Sequence, residues 1–166
     1  MRRVKLLVSL ACALLLSACK ATPPGKTETA VMTRAKKMFV GNRHQKNPFQ
    51  PTAENIAAGR ENFSHYCAAC HGLDGQNTGV PFAERMSPPV PKLSSSSVQA
   101  YTDGQLKWVI DNGIFPSGMP ASRGILNDDE IWSIIVYIRH LPTAGSLGEP
   151  SMYTGERCPD NNANGN

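Results

Sequence analysis

Apolar residues recur three or four positions apart in three stretches of the chain, a spacing that places them on one face of an α-helix. The first stretch begins after the capping residue Thr52 and runs to about Ala69. Its apolar face consists of Ile56, Gly59, Phe63 and Tyr66. Because glycine costs about 1 kcal/mol in a helix relative to alanine, we expect another helix to approach closely at Gly59.

The second and third stretches each open on a capping box, in which a cap residue is followed three positions later by Gln or Glu. Thr102 opens a short helix that ends at Asn112–Gly113, and Asn127 opens a helix that runs from Ile131 to about His140. The sequence contains no alternating strand pattern bounded by hairpin turns. The pattern therefore predicts an all-α fold.

The segment between the first two helices, residues 72–100, is rich in glycine and proline and includes a run of four serines. It shows neither helical nor strand periodicity, and so long an irregular stretch is uncommon inside a compact domain. We therefore expect it to wrap a bound group that supplies the missing core.

Two further segments flank the helical region, which is expected to form one domain over residues 52–142. Residues 19–51 contain prolines and little periodicity, which predicts a flexible membrane-proximal spacer. Parts of this spacer could pack on the domain, through Met38, Phe39, Val40 and Phe49. Residues 143–166 are polar and rich in Gly, Pro and Asn, which predicts a disordered tail.

The start of the chain has the order of a secretory signal peptide over residues 1–18, with basic residues, then an apolar run, then small residues. The apolar run is too short to span a bilayer as a finished helix. The chain has 17 Lys+Arg and 13 Asp+Glu. Removal of Arg2, Arg3 and Lys5 with the signal would leave 14 against 13, so we expect no nucleic-acid partner.

The segment Leu16-Ser17-Ala18-Cys19 resembles the lipobox of bacterial lipoproteins. The resemblance implies cleavage before Cys19, a lipid anchor on this cysteine, and a location on the periplasmic side of a bacterial membrane. Lys20 follows the cysteine, which by the same resemblance favours the outer membrane over the inner. Of the other cysteines, Cys12 belongs to the signal and Cys158 has no assigned role.

Residues 67–71 read Cys-Ala-Ala-Cys-His, the C-x-x-C-H motif that attaches haem c. Two thiols at this spacing can add to the two vinyl groups on one edge of a porphyrin, and the adjacent imidazole can reach the iron. The motif therefore predicts one covalent haem c, bound to Cys67 and Cys70 by thioether links, with His71 as the proximal iron ligand.

Two other chemistries are possible for this motif. A zinc site would need a fourth ligand, for which the sequence offers His65 or Cys158. A thioredoxin-like dithiol would follow a strand in a βαβ pattern, and the sequence has no such pattern. Both alternatives are therefore less favoured than haem.

Met119, in Ser117-Gly118-Met119-Pro120, is the candidate distal ligand of the iron. A thioether is a soft ligand that raises the reduction potential relative to a second histidine. A lone methionine more often fills core, but the flanking glycine and proline favour a fixed loop. Met86 is the next candidate and Met38 the third. The remaining histidines are interpreted as surface or capping residues: His44, His65 and His140.

Residues of about 52–142 resemble class I cytochromes c and are similar to the small cytochrome domains of the cbb3 oxidase family. The matching elements, in family order, are Ala58-Gly59-Arg60 with Phe63, His71-Gly72 with Asp74-Gly75, Pro89 to Leu93, Asn112-Gly113, Gly118 to Ala121, and the helix from Trp132 to Tyr137. Four-helix-bundle cytochromes that resemble class II carry the haem motif near the chain end, whereas here it lies near the start of the domain.

The resemblance implies the class I cytochrome c fold, in which three main helices and long loops surround one haem. The first and last helices would cross with Gly59 and Phe63 against Ile134 and Tyr137. It also implies that a proline carbonyl accepts the N–H of the proximal histidine, and the sequence leaves the choice open among Pro81, Pro88 and Pro89.

The expected function is therefore that of a single-electron carrier rather than an enzyme, with redox proteins as electron donor and acceptor. A dedicated cytochrome subunit of a periplasmic dehydrogenase or reductase is one alternative. A haem-based sensor or peroxidase with a labile sixth ligand is another.

Overall fold

The computed structural model describes residues 40–115 and 117–154, together with the single residues Gly25, Thr27 and Val31. The chain divides into two units, Met1–Met38 and Phe39–Asn166. Of the first unit only those three single residues are described, and all three are exposed. Several predicted features lie outside the described residues: the signal peptide, Cys19, Met38, Phe39, Cys158 and the last part of the tail.

Six helices lie between residues 40 and 154: α1 Ala53–Tyr66, α2 Ala68–His71, α3 Ser96–Gln99, α4 Asp103–Asn112, α5 Asp128–Arg139 and α6 Ser151–Thr154. Within the described residues there is no strand, and β-type pairing is limited to the isolated bridges Ile114–Met119 and Arg123–Leu126. The predicted all-α fold is confirmed.

The three main helices, α1, α4 and α5, begin at the residues that the capping patterns predict. The Thr52 hydroxyl accepts the N–H of the third residue of α1. Thr102 and Asn127 close complete capping boxes with Gln105 and Glu130, so each helix start satisfies backbone N–H groups that have no partner within the helix. The first helix ends earlier than expected, because the chain bends at Cys67 and continues as the separate turn α2.

Helix α1 crosses α5 at Gly59, as the resemblance implies. A Cβ atom on Gly59 would lie 2.0 Å from the carbonyl oxygen of Ser133, so a larger residue does not fit there. Near this crossing, the rings of Phe63 and Tyr137 pack with their centroids 5.2 Å apart. The contact at the glycine is therefore the backbone of Ser133 rather than Ile134.

Helix α5 is buried on all sides along Ile131–Ile138, whereas the spacing of apolar residues in the sequence predicts a single apolar face. Helices α1 and α4 pack against it. A third side is covered by the segment before α1, from which the Asn47 side chain donates a hydrogen bond to the Trp132 carbonyl, at 3.0 Å. A helix that is covered from several directions buries residues beyond its most apolar face.

The folded domain extends beyond residues 52–142 at both ends. On the N-terminal side, the hydroxyl of Thr102 donates to the Arg43 carbonyl, and Phe49 packs against the core. On the C-terminal side, residues 143–154 contain a fully buried proline, Pro150, and the short helix α6. Residues 40–51 of the expected spacer and 143–154 of the expected tail are therefore held on the domain by backbone and ring contacts, although their composition is polar.

Candidate haem-attachment site

The residues of the C-x-x-C-H motif lie together on one turn. Cys67 joins α1 to α2, and Cys70 and His71 are the last two residues of α2. The backbone N–H groups of Cys70 and His71 both bond to the Cys67 carbonyl, at 3.1 and 3.0 Å. This turn therefore fixes two thiols and one imidazole relative to one another.

The two thiols of the turn have different surroundings. Cys67 is partly buried and packs against the hydrophobic core, while Cys70 is exposed, and neither forms a disulfide. Burial, with a smaller contribution from the charge of Cys70, raises the pKa of the Cys67 thiol to about 12. One thiol therefore faces the interior of the domain and the other lies at its surface.

The His71 imidazole has a buried Nδ1 atom without a hydrogen-bond partner among the described residues. Burial lowers the pKa of His71, and the backbone of Pro91 acts in the opposite direction, without completing a hydrogen bond of full geometry. The proline whose backbone lies near this ring is thus Pro91. It is none of the three candidates from the sequence, Pro81, Pro88 and Pro89. The loop brings it there because the Leu93 N–H bonds to the Gly75 carbonyl, at 2.8 Å.

The loop after His71 is held by a fully buried carboxylate, that of Asp74. Its oxygens accept hydrogen bonds from the Gln76 N–H at 2.8 Å, the Thr78 hydroxyl at 2.6 Å and the Gly145 N–H at 2.7 Å. Burial by itself would raise the pKa of Asp74, but these hydrogen bonds outweigh burial and the pKa is lowered. Asp74 therefore anchors the C-terminal segment to the loop beside the haem motif.

Tyr153 of α6 forms a second link between the C-terminal segment and the motif. Its hydroxyl donates to the carbonyl of Ala69, between the two cysteines, at 2.7 Å. Its ring meets Phe82 edge to face, with centroids 6.2 Å apart. Because the sequence predicts disorder for this segment, neither contact could be found from the residue pattern.

Met119 lies in a loop that is closed on itself. The Ile114 N–H donates to the Met119 carbonyl at 3.1 Å. Gly113 has a φ of 67°, and a Cβ there would lie 2.6 Å from the same carbonyl, so the loop requires glycine at this position. The Met119 side chain is partly buried and packs against the core cluster that also contacts Cys67.

Met86, the second candidate ligand, lies close to the same loop. A Cβ on Gly118 would be 3.1 Å from the Met86 Cε. His44, His65 and His140 are all exposed, and His140 Nδ1 lies 2.8 Å from the Val136 carbonyl at the end of α5. The structure thus places the Met86 side chain next to the loop that contains Met119.

The described part of the chain has neither a metal cluster of its own side chains nor a membrane span. It contains no group of three or more His, Cys, Asp or Glu side chains arranged to hold a metal ion. Its helices are all too short or too polar to cross a bilayer.

The residues of the turn fit a covalently bound haem. Two free thiols stand at the required spacing, and the buried Nδ1 of His71 leaves Nε2 as the nitrogen for iron.

Comparison with known proteins gives the family. A family model described as cytochrome c oxidase, cbb3-type, subunit III matches residues 54–138, which run from the start of α1 almost to the end of α5. Cytochrome c6 of Tetradesmus obliquus is 28% identical over 89 residues, which cover 51% of this chain and 88% of that protein. The chain therefore belongs to the cbb3-type cytochrome c domain family and is a class I monohaem cytochrome that carries electrons on a covalent haem c with its iron.

Proposed function

We propose that this chain is a single-electron carrier in which Cys67 and Cys70 hold the haem, His71 is the proximal iron ligand and Met119 is the distal ligand. The observation that carries this proposal is the single turn that holds two free thiols and the His71 imidazole at the spacing of a haem-attachment motif. The partly buried Met119, on the same core cluster as Cys67, supports the second axial ligand.

The bound haem supplies a reversible one-electron change at its iron. Cys67 and Cys70 would hold the haem by thioether links, each formed when an S–H adds across a vinyl group, with sulfur on one carbon and hydrogen on the other. His71 binds through Nε2 and keeps its proton on the buried Nδ1. If His71 and Met119 both hold the iron, a substrate could not bind to it, and we therefore propose a carrier rather than an enzyme.

A dedicated subunit of a larger enzyme would be expected to use the segments before and after the helical region for docking. Residues 40–51 and 143–154 instead contact their own domain, through Asn47 and Tyr153 among others. This arrangement supports a carrier that exchanges electrons in short encounters with separate donor and acceptor proteins.

The proposed location is the periplasmic side of a bacterial membrane, with the outer membrane favoured and a lipid on Cys19. The support is the signal-like order of residues 1–18 and the lipobox-like segment that follows. A Cys19→Ser variant should leave the membrane fraction and appear in the soluble periplasmic fraction. Retention of the variant in the membrane would contradict the anchor.

The first test uses the full chain, produced in a host that matures cytochromes c and extracted with detergent. We expect haem that survives denaturing electrophoresis and a far-red methionine–iron charge-transfer band in the oxidised protein. Met119→Ala should lose the band, while Met86→Ala, the matched control, should keep it. Absence of covalent haem would overturn the proposal, and the opposite behaviour of the two variants would make Met86 the ligand.

A further inference from the structure

Asn77 connects the haem-attachment turn to a distant part of the loop. Its backbone N–H donates to the His71 carbonyl at 2.8 Å, and its side-chain Nδ2 donates to the Val90 carbonyl, also at 2.8 Å. The residue has a φ of 66°, in the left-handed region that asparagine tolerates better than most residues. This conformation allows the main chain and the side chain to make the two contacts together.

The second of these contacts fixes the backbone immediately before Pro91. Val90 is also held on its other side, because its N–H bonds to the Ala83 carbonyl at 2.9 Å. Pro91 follows directly and is the residue whose backbone is associated with the His71 ring. The Asn77 side chain therefore restrains the residue that directly precedes Pro91.

Incomplete hydrogen bonding in the buried part of the described chain is concentrated at this pair of residues. The buried side-chain polar atoms without a partner are His71 Nδ1 and Asn77 Oδ1. Buried polar atoms are nearly always paired, and these two belong to residues that a backbone hydrogen bond joins, Asn77 N–H to the His71 carbonyl. The carboxamide is thus held in place through its Nδ2 alone.

We propose that Asn77 is a positioning residue for the iron ligand: by fixing the Val90–Pro91 segment, it sets how closely the Pro91 carbonyl can accept the His71 Nδ1 proton once the haem is bound. This inference rests on the proposed role of His71 as proximal ligand. A hydrogen bond from Nδ1 makes the imidazole a stronger electron donor to the metal. A stronger donor stabilises the oxidised iron more than the reduced iron, so loosening the segment raises the reduction potential.

The test compares Asn77→Gly with Asn42→Gly in the holoprotein. Asn42 is a matched control because it also has a left-handed φ, of 59°, and is exposed in the segment before α1. Glycine adopts this backbone conformation without strain, so each variant loses only a side chain. Potentials are measured by spectroelectrochemical titration, together with covalent haem content and the urea midpoint.

We expect Asn77→Gly to have a more positive potential, with a severalfold lower ratio of oxidised to reduced protein at a fixed applied potential. The His71 Nδ1 proton, followed by NMR in the reduced state, should exchange with deuterium faster than in the parent. Asn42→Gly should match the parent in both readouts. An unchanged potential in Asn77→Gly, or an equal shift in both variants, would overturn the inference.

Two further controls keep the outcomes separate. If Asn77→Gly does not accumulate, Asn77→Asp keeps the side-chain size and loses the amide donor to Val90, and the same proton exchange is measured. Faster exchange supports the inference, and unchanged exchange overturns it. A parent protein without covalent haem or without the far-red band contradicts the proposed function itself, before any variant is compared.

Discussion

Asp74 shows how a single buried charge is accommodated beside the haem motif. An ionised carboxylate in the interior is costly unless donors satisfy its oxygens. Here the donors are two backbone N–H groups, of Gln76 and Gly145, and the hydroxyl of Thr78. They keep the carboxylate ionised and lower its pKa below 3.8. Because Gly145 belongs to the C-terminal segment, the charge joins two distant parts of the chain.

Replacement of Asp74 by asparagine should destabilise the protein at neutral pH by about 1–3 kcal/mol, since one N–H would face an amide donor instead of an acceptor. A carboxyl whose pKa is lower in the folded state stabilises the protein above its unfolded pKa, and this contribution is lost as the pH falls through the folded pKa. The difference in unfolding free energy between the parent and Asp74→Asn should therefore become smaller as the pH falls.

Urea unfolding at neutral pH and at about pH 3 measures this difference, since the unfolded carboxyl titrates near 3.9. Glu84→Gln removes one negative charge from an exposed position of the same loop and serves as the control. If Asp74→Asn and Glu84→Gln lower the unfolding free energy equally at neutral pH, the hydrogen bonds of Asp74 do not hold the C-terminal segment.

What the sequence could reveal at the scale of residues depends on how far apart the interacting groups lie in the chain. Cys67, Cys70 and His71 are adjacent, so their spacing alone places them on one turn. Pro91 could not be chosen in this way, because its position depends on pairing between residues 71–77 and residues 90–93. Such pairing leaves no periodic pattern in a loop.

At the scale of elements, the helices that carry their own start signals are the ones that the sequence predicts. Thr52, Thr102 and Asn127 cap α1, α4 and α5 through contacts within three residues, so these signals are local. The short helices α3 and α6 were missed. A helix of four residues is not stable in isolation, and α6 exists because Tyr153 and Pro150 are held by other parts of the domain.

The C-terminal segment should therefore depend on the hydroxyl of Tyr153. Tyr153→Phe keeps the ring contact with Phe82 and removes the hydrogen bond to the Ala69 carbonyl. We expect a loss of about 0.5–1.5 kcal/mol in the free energy of unfolding, the usual contribution of one hydrogen bond. We also expect faster proteolytic cleavage within residues 143–154, followed by mass spectrometry.

Tyr66→Phe is the matched control for this substitution, because Tyr66 is 50% exposed at the end of α1. It removes a hydroxyl from the same type of ring outside the C-terminal segment. Equal cleavage rates in the two variants would mean that the bond to Ala69 does not hold the segment against the haem motif.

At the scale of the whole molecule, the all-α fold could be predicted but the extent of the domain could not. The helical pattern marks only the central part, whereas residues 40–51 and 143–154 are held by contacts such as that of Asn47 with the Trp132 carbonyl. These contacts use backbone groups as acceptors, and every residue has such groups. A polar composition therefore predicts a flexible segment even where backbone acceptors elsewhere in the domain hold it in place by hydrogen bonds.

The surface of the molecule offers an apolar contact close to the proposed distal ligand. Phe115 is 98% exposed and its neighbour Ile114 is 43% exposed, in the loop that closes on Met119. Large exposed apolar groups that cluster are typical of interaction sites. The chain would carry 14 Lys+Arg against 13 Asp+Glu after signal removal, so long-range electrostatic steering should be weak. Docking of a redox partner should therefore depend on this apolar loop.

Phe115→Ser should slow electron transfer to a protein oxidant by about tenfold, the effect of losing roughly 1.4 kcal/mol of docking free energy. The side chain has almost no buried surface, so the unfolding free energy should not fall. Stopped-flow oxidation by a small copper protein measures the rate, and hexacyanoferrate, which needs no docking surface, provides the reference.

Ile125 is another exposed apolar residue, with 67% of its surface accessible. Ile125→Ser is therefore the control for loss of exposed apolar surface in general. A slower reaction of Phe115→Ser with both oxidants would place the effect at the iron rather than at the surface. Unchanged rates with both would show that partners dock elsewhere. Docking through the loop requires that Phe115→Ser react more slowly with the copper protein alone and that Ile125→Ser react at the parent rate, because only a protein partner covers that loop.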